Sequence, residues 1–263
     1  MPIVTFTSDF GLNDYYVALI KGAMLCENPN LNIVDITHNI NNYDIVQAAF
    51  ILKNSYESFP KGTIHILSVN SFHDKKRKFL AIRYNEHYFV GPDNGVFSLL
   101  FDEIPEDIYK LDFVNKGTFP LKTVFAKAVG HISKEMPFNE VGIPVEEIVE
   151  RITFQPVIGP TQIRGAVIHI DRYENVVVNI SRKLFEQIWE KRDYEITFRR
   201  NDPIDKIFNN YYDVPIGETL CRFNSADFLE ISINMGKASS MLGLKVEDTV
   251  QIDFRSVGLA TGQ

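Results

Sequence analysis

The feature that most constrains this chain is a change of texture near residue 152. Before it, short apolar or β-branched runs alternate with stretches of helical period; after it, short strand-like runs follow one another almost without helix. Residues 2–7 read as a nearly continuous β-branched strand, the pattern of a parallel strand buried on both faces. A polar turn, Ser8-Asp9-Phe10-Gly11-Leu12, leads into a predicted helix from Asn13 to Cys26 with Val17, Ile20 and Met24 on one face. Leu31 to Thr37 is predicted as a second strand. A helix capped by Asn42 then turns Ile45, Ala49 and Leu52 inward, and Thr63 to Val69 is a third strand. Phe79 to Tyr84 and His87 to Val90 predict a hairpin-like pair that ends in Gly91-Pro92-Asp93-Asn94-Gly95, a turn signal in which Asn94-Gly95 supplies positive φ. Phe125, Ala128, Val129 and Ile132 mark one more amphipathic helix. Strand and helix alternating in this way imply an α/β domain with a largely parallel sheet.

The second half predicts strands at Ile163 to Ile170, Val176 to Ile180, Tyr194 to Arg199, Thr219 to Phe223, Phe228 to Ile233 and Thr249 to Phe254. Helical pattern survives around Lys183 to Lys191 and at Ala238 to Leu242, where Gly243 stops it. The reading is an N-terminal α/β domain over residues 1–152 and a smaller C-terminal β-barrel or sandwich over residues 161–263, with Pro156-Val157-Ile158-Gly159-Pro160 as linker. A net charge of −7, with Lys75-Lys76-Arg77-Lys78 as the one basic block, speaks against nucleic acid as a partner. No run is long enough for a membrane span and the N-terminus does not read as a signal peptide, so a cytoplasmic protein without a membrane partner is expected. Cys26 and Cys221 both sit in apolar runs and read as small core residues.

In α/β sheets ligands bind beyond the carboxyl ends of the strands. Those ends carry Asp9, Thr37-His38, Asn70 and Asp93-Asn94. Two readings of Asp9 stand: a carboxylate accepting from a ribose diol, or a cap for the helix at Asn13. His38 reads more readily as a histidine satisfying a backbone group than as a metal ligand. A binuclear metal site on Asp9, His38 and Asp93, as in a phosphohydrolase, lacks the usual ligand spacing, and no metal is expected. In the second half, Asp171-Arg172-Tyr173-Glu174-Asn175 offers a carboxylate, an aromatic face and an amide, and Asn224-Ser225 and Asn234-Met235-Gly236 flank a strand. Carboxamides suit the edge of an adenine, aromatic rings its face, and a carboxylate an ammonium or sulfonium.

Taken in order, several segments resemble the S-adenosylmethionine (SAM) hydroxide adenosyltransferase family and, more distantly, the SAM-dependent fluorinases and chlorinases. They are Thr7-Ser-Asp-Phe-Gly11, Ile33-Val-Asp-Ile-Thr-His38, Tyr43-Asp-Ile45, Phe59-Pro-Lys-Gly-Thr-Ile-His65 and Val90-Gly-Pro-Asp-Asn-Gly95, then Asp171-Arg-Tyr-Glu-Asn175, Asp213-Val-Pro-Ile-Gly-Glu218 and Phe228-Leu-Glu-Ile-Ser-Ile-Asn-Met-Gly236. The resemblance implies a homotrimer that binds SAM or adenosine between the N-terminal domain of one subunit and the C-terminal domain of the next. SAM is then substrate or ligand, with no further cofactor. It implies that Asp9 binds the ribose hydroxyls, with Tyr43 beside the sugar and Phe119 as a pocket wall. Asp171 and Ser225 would hold the methionine end. Asn175 would meet the adenine edge, with Tyr173 in the same segment, Tyr211 or Tyr212 at the adenine's face, and the backbone of Asn234, Met235 and Gly236 lining it.

The catalytic positions depart from the pattern. The family's hydrolases activate water with an Asp after strand three, an Arg seven residues on and a His in a later Thr-Phe-His segment. Here those positions hold Asn70, Arg77 and Pro120. Asn70 cannot take a proton and Pro120 has no side-chain donor or acceptor. His73, Asp74 and His131 lie near enough in sequence to be considered as substitute bases. Adenosine-forming SAM hydrolysis with Arg77 and Asn70 at the reacting centre is therefore the first expectation. A SAM- or adenosine-binding sensor or scaffold without catalysis is the second, and a metal-dependent phosphohydrolase a remote third. Halogenation is disfavoured, because Asn70 stands where fluorinases have a tyrosine and Leu121 where they have a serine.

Overall fold

The apolar run at the start of the chain forms β1 (Ile3–Ser8), which lies between two parallel neighbours, β2 (Asn32–Thr37) and β3 (Ile64–Ser68). The computed structural model describes residues 1–72, 78–105, 107–113, 119–199 and 202–255. The chain divides into two compact units, Met1–Ile152 and Thr153–Gln263. In the first, α1 (Tyr16–Glu27) joins β1 to β2 and α2 (Ile45–Lys53) joins β2 to β3. They are followed by β4 (Phe79–Tyr84), β5 (His87–Pro92), α3 (Val96–Leu100), β6 (Asp107–Lys110), α4 (Pro120–Ser133) and β7 (Ile143–Pro144). Among the described residues the sheet runs β2-β1-β3-β5-β4-β6-β7. Its first three pairings are parallel and the rest antiparallel, so the sheet is mixed: the β4–β5 hairpin supplies the turn from one mode to the other.

Period-two alternation sorts the strand residues onto two cores. Val4, Phe6, Ile64, Ile66, Phe79, Ala81 and Val90 pack with Ile20 and Met24 of α1 and Phe125 and Val129 of α4. Leu67, Leu80, Ile82 and Phe89 turn the other way, onto Ala49 and Leu52 of α2 and Phe97 of α3. Burial on both faces explains why the central strands read as unbroken apolar runs.

Several local expectations change. α1 begins at Tyr16, not Asn13, and its cap residue Tyr15 makes no side-chain bond to the helix. Asn42 does not cap α2; Asp44 does, its carboxylate accepting from the Gln47 amide at 2.9 Å. Gly95 has positive φ, but Asn94 does not. Cys26 lies on the exposed side of α1, whereas Cys221 is fully buried. No helix of the described residues is long and apolar enough to cross a membrane.

The second unit contains β8 (Val157–Ile158), β9 (Gln162–Ile170), β10 (Val176–Ser181), α5 (Arg182–Trp189), β11 (Tyr194–Phe198), β12 (Ile207–Phe208), β13 (Thr219–Phe223), β14 (Phe228–Ile233), α6 (Ala238–Leu242) and β15 (Thr249–Phe254). The stretch expected as linker thus contributes a short strand, β8, that pairs with β9. β9 changes partner along its length: Gln162 to Ala166 pair with β15, while Val167 to Ile170 pair with β10. At the changeover a β-carbon on Gly165 would lie 2.7 Å from Asn179 Oδ1 and from Ile180 Cγ1, so a larger residue there would have to displace these side chains. The sheet order is β11-β15-β9-β10-β14-β13-β12. Ile204, just before β12, also bridges to Ile196 of β11, so the sheet curls its two ends toward each other around Val178, Ile231 and Ile252.

One buried polar chain crosses the first unit away from the strand ends. Thr5 Oγ1 lies 2.7 Å from His65 Nδ1, and His65 Nε2 lies 3.1 Å from His87 Nδ1, with both imidazoles buried. The contact between the rings needs one neutral nitrogen to accept. Burial, then the charge of His87, pushes His65 down to about 3 from an ordinary 6.5; His87 is also lowered, chiefly by burial and against Glu57 and Glu86. Below pH 6.5 or so the unfolded chain therefore takes up protons that the folded chain refuses. This contribution is complete above that pH and is lost as pH falls, at about 1.4 kcal/mol per pH unit for one such histidine. The melting temperature is expected to drop between pH 7 and pH 5, and the drop to shrink in His65→Gln; equal drops in scanning calorimetry of both proteins would contradict this.

Candidate functional site

At the carboxyl ends of β1 and β2 the connections leave to opposite faces of the sheet, through α1 and α2, which pack on different cores, and the end of β3 lies on the other side of β1. Asp9 follows β1 directly. Its Oδ2 accepts from the backbone amides of Tyr43 at 3.0 Å and Asn70 at 3.2 Å. Both donors have left-handed backbone, φ 68° for Tyr43 and 49° for Asn70, a region costly for residues with a β-carbon. One carboxylate oxygen thus fixes two strained residues, while Oδ1 has no partner among the described residues. Asp9 does not cap α1, which settles one of its two sequence readings. Asn42 Nδ2 donates to the Asp9 carbonyl at 3.3 Å.

Two buried side chains hold this loop from beneath. Asn94, 1 % exposed, donates from Nδ2 to the carbonyls of Val69 at 2.9 Å and Asn70 at 3.2 Å and accepts from the Val96 amide. His38 Nδ1 lies 2.7 Å from Ser8 Oγ, and its Nε2 is 3.0 Å from Asp35 Oδ1. Burial pushes His38 below the ordinary histidine range, against the pull of Asp35. Burial raises Asp35, but hydrogen bonds from Lys21 and His38 bring it net below the usual carboxylate range. His38 is thus a structural strand-end histidine. Asp93 is equally committed, its Oδ1 accepting from the Val149 amide at 2.8 Å. Among the described residues no group of three or more His, Cys, Asp or Glu is arranged to hold a metal ion.

Beside Asp9 lies an aromatic cleft of about 440 Å³ lined by Phe10, Tyr15, Tyr16, Leu19, Phe72 and Phe119. Phe119 sits 5.4 Å from Tyr16 and 6.2 Å from Phe10, ring to ring. Apart from Phe119 these residues were not singled out in the sequence; the signal available was the density of aromatics immediately after β1. Pro120 is the first residue of α4, a position whose amide needs no partner in a helix. Tyr43 is 71 % exposed. His131 Nε2 donates to the Pro137 carbonyl at 2.8 Å. Arg77, His73 and Asp74 lie outside the described residues.

The second unit gathers its own polar cluster. Asp171 organises the turn after β9: Oδ1 accepts from the amides of Tyr173 and Asn175, both at 2.8 Å, and Oδ2 from Asn175 Nδ2 at 2.9 Å. A carboxylate has about four acceptor positions, so three such bonds leave capacity for one more donor. Tyr173 projects outward, exposed. Glu174 has φ 65°, and its carboxylate is bonded to Ser240 and Lys237, which hold it below the usual range. Ser225 is exposed at the tip of a turn fixed by Asn224 Oδ1, which accepts from Ala226 and Phe228. Asn234 Nδ2 donates to the Val214 carbonyl at 2.8 Å, and Met235, φ 56°, is 85 % exposed.

The two candidate tyrosines separate. Tyr211 donates to Glu230 Oε1 at 2.9 Å, and the Arg222 guanidinium lies 4.5 Å over its ring; burial and the Glu230 carboxylate push Tyr211 up to about 12. Tyr212 is 78 % exposed. The structure thus brings Asp9, Tyr43 and Asn70 together in one unit and Asp171, Tyr173 and Asn175 in the other. Asp9→Ala leaves the Tyr43 and Asn70 amides without their acceptor and is expected to cost about 1–3 kcal/mol in urea unfolding; a loss under about 0.5 kcal/mol, the size of an ordinary surface change, would show that the carboxylate does not hold the two loops.

Comparisons with known proteins identify the family. Residues 4–142 match the model of the SAM hydroxide adenosyltransferase N-terminal domain and residues 165–251 that of the C-terminal domain. An (R)-S-adenosyl-L-methionine hydrolase from Methanocaldococcus jannaschii is 30% identical over 97% of this chain and 97% of its own length. One of the same name from Thermus thermophilus is 29% identical over 93% and 97%, and a fluorinase from an Actinoplanes species 23% identical over 95% and 97%. The crystal structure of a conserved protein from Thermotoga maritima superimposes with a TM-score of 0.86 at 28% identity, covering 95% of this chain and 99% of that one. The chain belongs to the SAM hydroxide adenosyltransferase family.

Proposed function

We propose that this protein hydrolyses SAM to adenosine and methionine. The observation that carries the reading is Asp9: a carboxylate fixed at a strand-end crevice by two amides, with its other oxygen free of donors among the described residues, beside an aromatic cleft. That arrangement suits a ribose diol better than a metal or a phosphate, and full-length relatives bearing the hydrolase name support the same substrate. Water or hydroxide attacks the ribose 5′ carbon, the carbon–sulfur bond breaks with its electron pair passing to sulfur, and the water's second proton leaves to solvent. The sulfonium departs as a neutral thioether, so no proton donor is needed on the leaving side.

In this reading Asp9 orients the ribose with Tyr43 beside it and Phe119 as a wall. Asp171 and Ser225 take the methionine end, Asn175 and Tyr173 the adenine side, Tyr212 its face, and Asn234 and Met235 its rim. Arg77 and Asn70 stand at the reacting centre. The protein acts as a cytoplasmic homotrimer, each SAM held between unlike units of neighbouring subunits, without a further cofactor. The sensor alternative rests on a specific observation: neither Asn70 nor Pro120 can move a proton, and Pro120 is built into the start of α4.

Purified protein incubated with SAM is expected to release adenosine and methionine in equal amounts by chromatography, and Arg77→Ala to abolish the release. Calorimetric binding of SAM without product identifies the sensor instead; absence of both binding and product removes the SAM reading. Loss of acid–base assistance typically forfeits roughly 10²–10⁴ in rate. The double variant Asn70→Asp with Pro120→His is therefore expected to turn over faster, by at least the lower end of that range, about 10²-fold. The left-handed backbone at position 70 accommodates Asp as it does Asn. An unchanged kcat in that variant would show that positioning alone sets the rate. Sedimentation is expected to give the mass of three 30.1 kDa chains.

A further inference from the structure

We propose that Glu174 is a positioning residue that ties the Asp171–Asn175 turn to the segment leading from Asn234 into α6, so that two parts of the ligand-binding surface are held as one body. The inference rests on the SAM reading above for its ligand, and on the structure for its mechanics. Glu174 occupies a left-handed position, φ 65°, where glycine is the unstrained residue. The side chain that takes its place is fully engaged. Oε2 accepts from the Ser240 amide at 3.1 Å and from the Ser240 hydroxyl, and Oε1 accepts from Lys237 Nζ at 2.9 Å. Its own carbonyl accepts from the Ser239 amide at 2.9 Å.

On the near side, the Glu174 amide donates to the Asp171 carbonyl at 3.0 Å, and the next residue is Asn175, whose amide and side chain both bind Asp171. On the far side, Lys237 immediately follows the exposed Asn234-Met235-Gly236 turn. α6 has no side-chain cap of its own from Lys237, so Glu174 supplies that acceptor from another loop. A glycine at 174 would keep the backbone path and remove every side-chain bond across the gap. Among the described residues the Ser239 amide would then make the one hydrogen bond left between the two segments beyond the paired ends of β10 and β14, and a ligand touching both would have to order them on binding.

The test compares wild type, Glu174→Gly and Glu174→Gln by three measurements: SAM turnover, adenosine binding by calorimetry, and backbone amide exchange. Glu174→Gly is expected to raise the KM for SAM and the Kd for adenosine about tenfold through the ordering cost, with kcat within about twofold. Glu174→Gln, which keeps an acceptor for Ser240, is expected to recover most of that loss. Exchange at Asn175 and Ser240 is expected to quicken together in the glycine variant. Unchanged adenosine affinity, or unchanged exchange at either segment, overturns the proposal. If wild type binds neither SAM nor adenosine, the SAM reading fails by itself. The tie is then decided by exchange alone: coupled acceleration supports it and its absence overturns it.

Discussion

The contact on which the crevice depends is one carboxylate oxygen shared by two backbone amides. Tyr43 and Asn70 stand in left-handed backbone, and each turns its N–H to Asp9 Oδ2. Asn70 tolerates that region, but for Tyr43 the conformation carries a cost that its own preference does not meet. The carboxylate holds both, joining the end of β1, the approach to α2 and the end of β3. Asn94 and the His38–Ser8 pair support the same loops from the buried side, so the arrangement is held before any ligand arrives. Preorganisation of this kind lowers the cost of binding, because the loops need not be ordered by the ligand.

It also bears on the proposed hydrolysis. Displacement at a sulfonium needs an aligned nucleophile more than a proton donor, and alignment alone can be worth many orders of magnitude. Pro120, as the first residue of α4, sits where a missing amide proton and a fixed φ both suit a helix. Asn70 suits its own position by tolerating the left-handed region.

The sequence was legible wherever a residue's role is set by its own periodicity. The hairpin of β4 and β5, and β13, β14, β15 and α6, lie where the alternation and Gly243 put them. What could not be read depends on partners distant in the chain. Asn42 had the composition of a helix cap, but Asp44 reaches the Gln47 amide and Asn42 turns instead to Asp9. Asn94 looked like half of a positive-φ turn, yet it is a buried amide serving carbonyls at the end of β3. Cys26 was read from apolar neighbours, but the helix turns it outward. The strand ends located Asp9; only the geometry tells a carboxylate that pins two loops from one that caps a helix.

The same division between scaffold and ligand groups runs through the second unit, and it decides between its two adjacent tyrosines. Tyr211 has a bonded hydroxyl and a guanidinium over its face, and Glu230 beneath it also accepts from Ser232. A ring held in this way is a wall, since neither its hydroxyl nor the face under Arg222 is open to a base. Tyr212 is anchored through the chain on either side: Asn210 and Asp213 cap each other around the short turn, and Asn234 fixes Val214 just beyond. Its own ring remains exposed. An aromatic side chain held at its base and bare on its faces is the kind of group that gains most from stacking on a planar ligand.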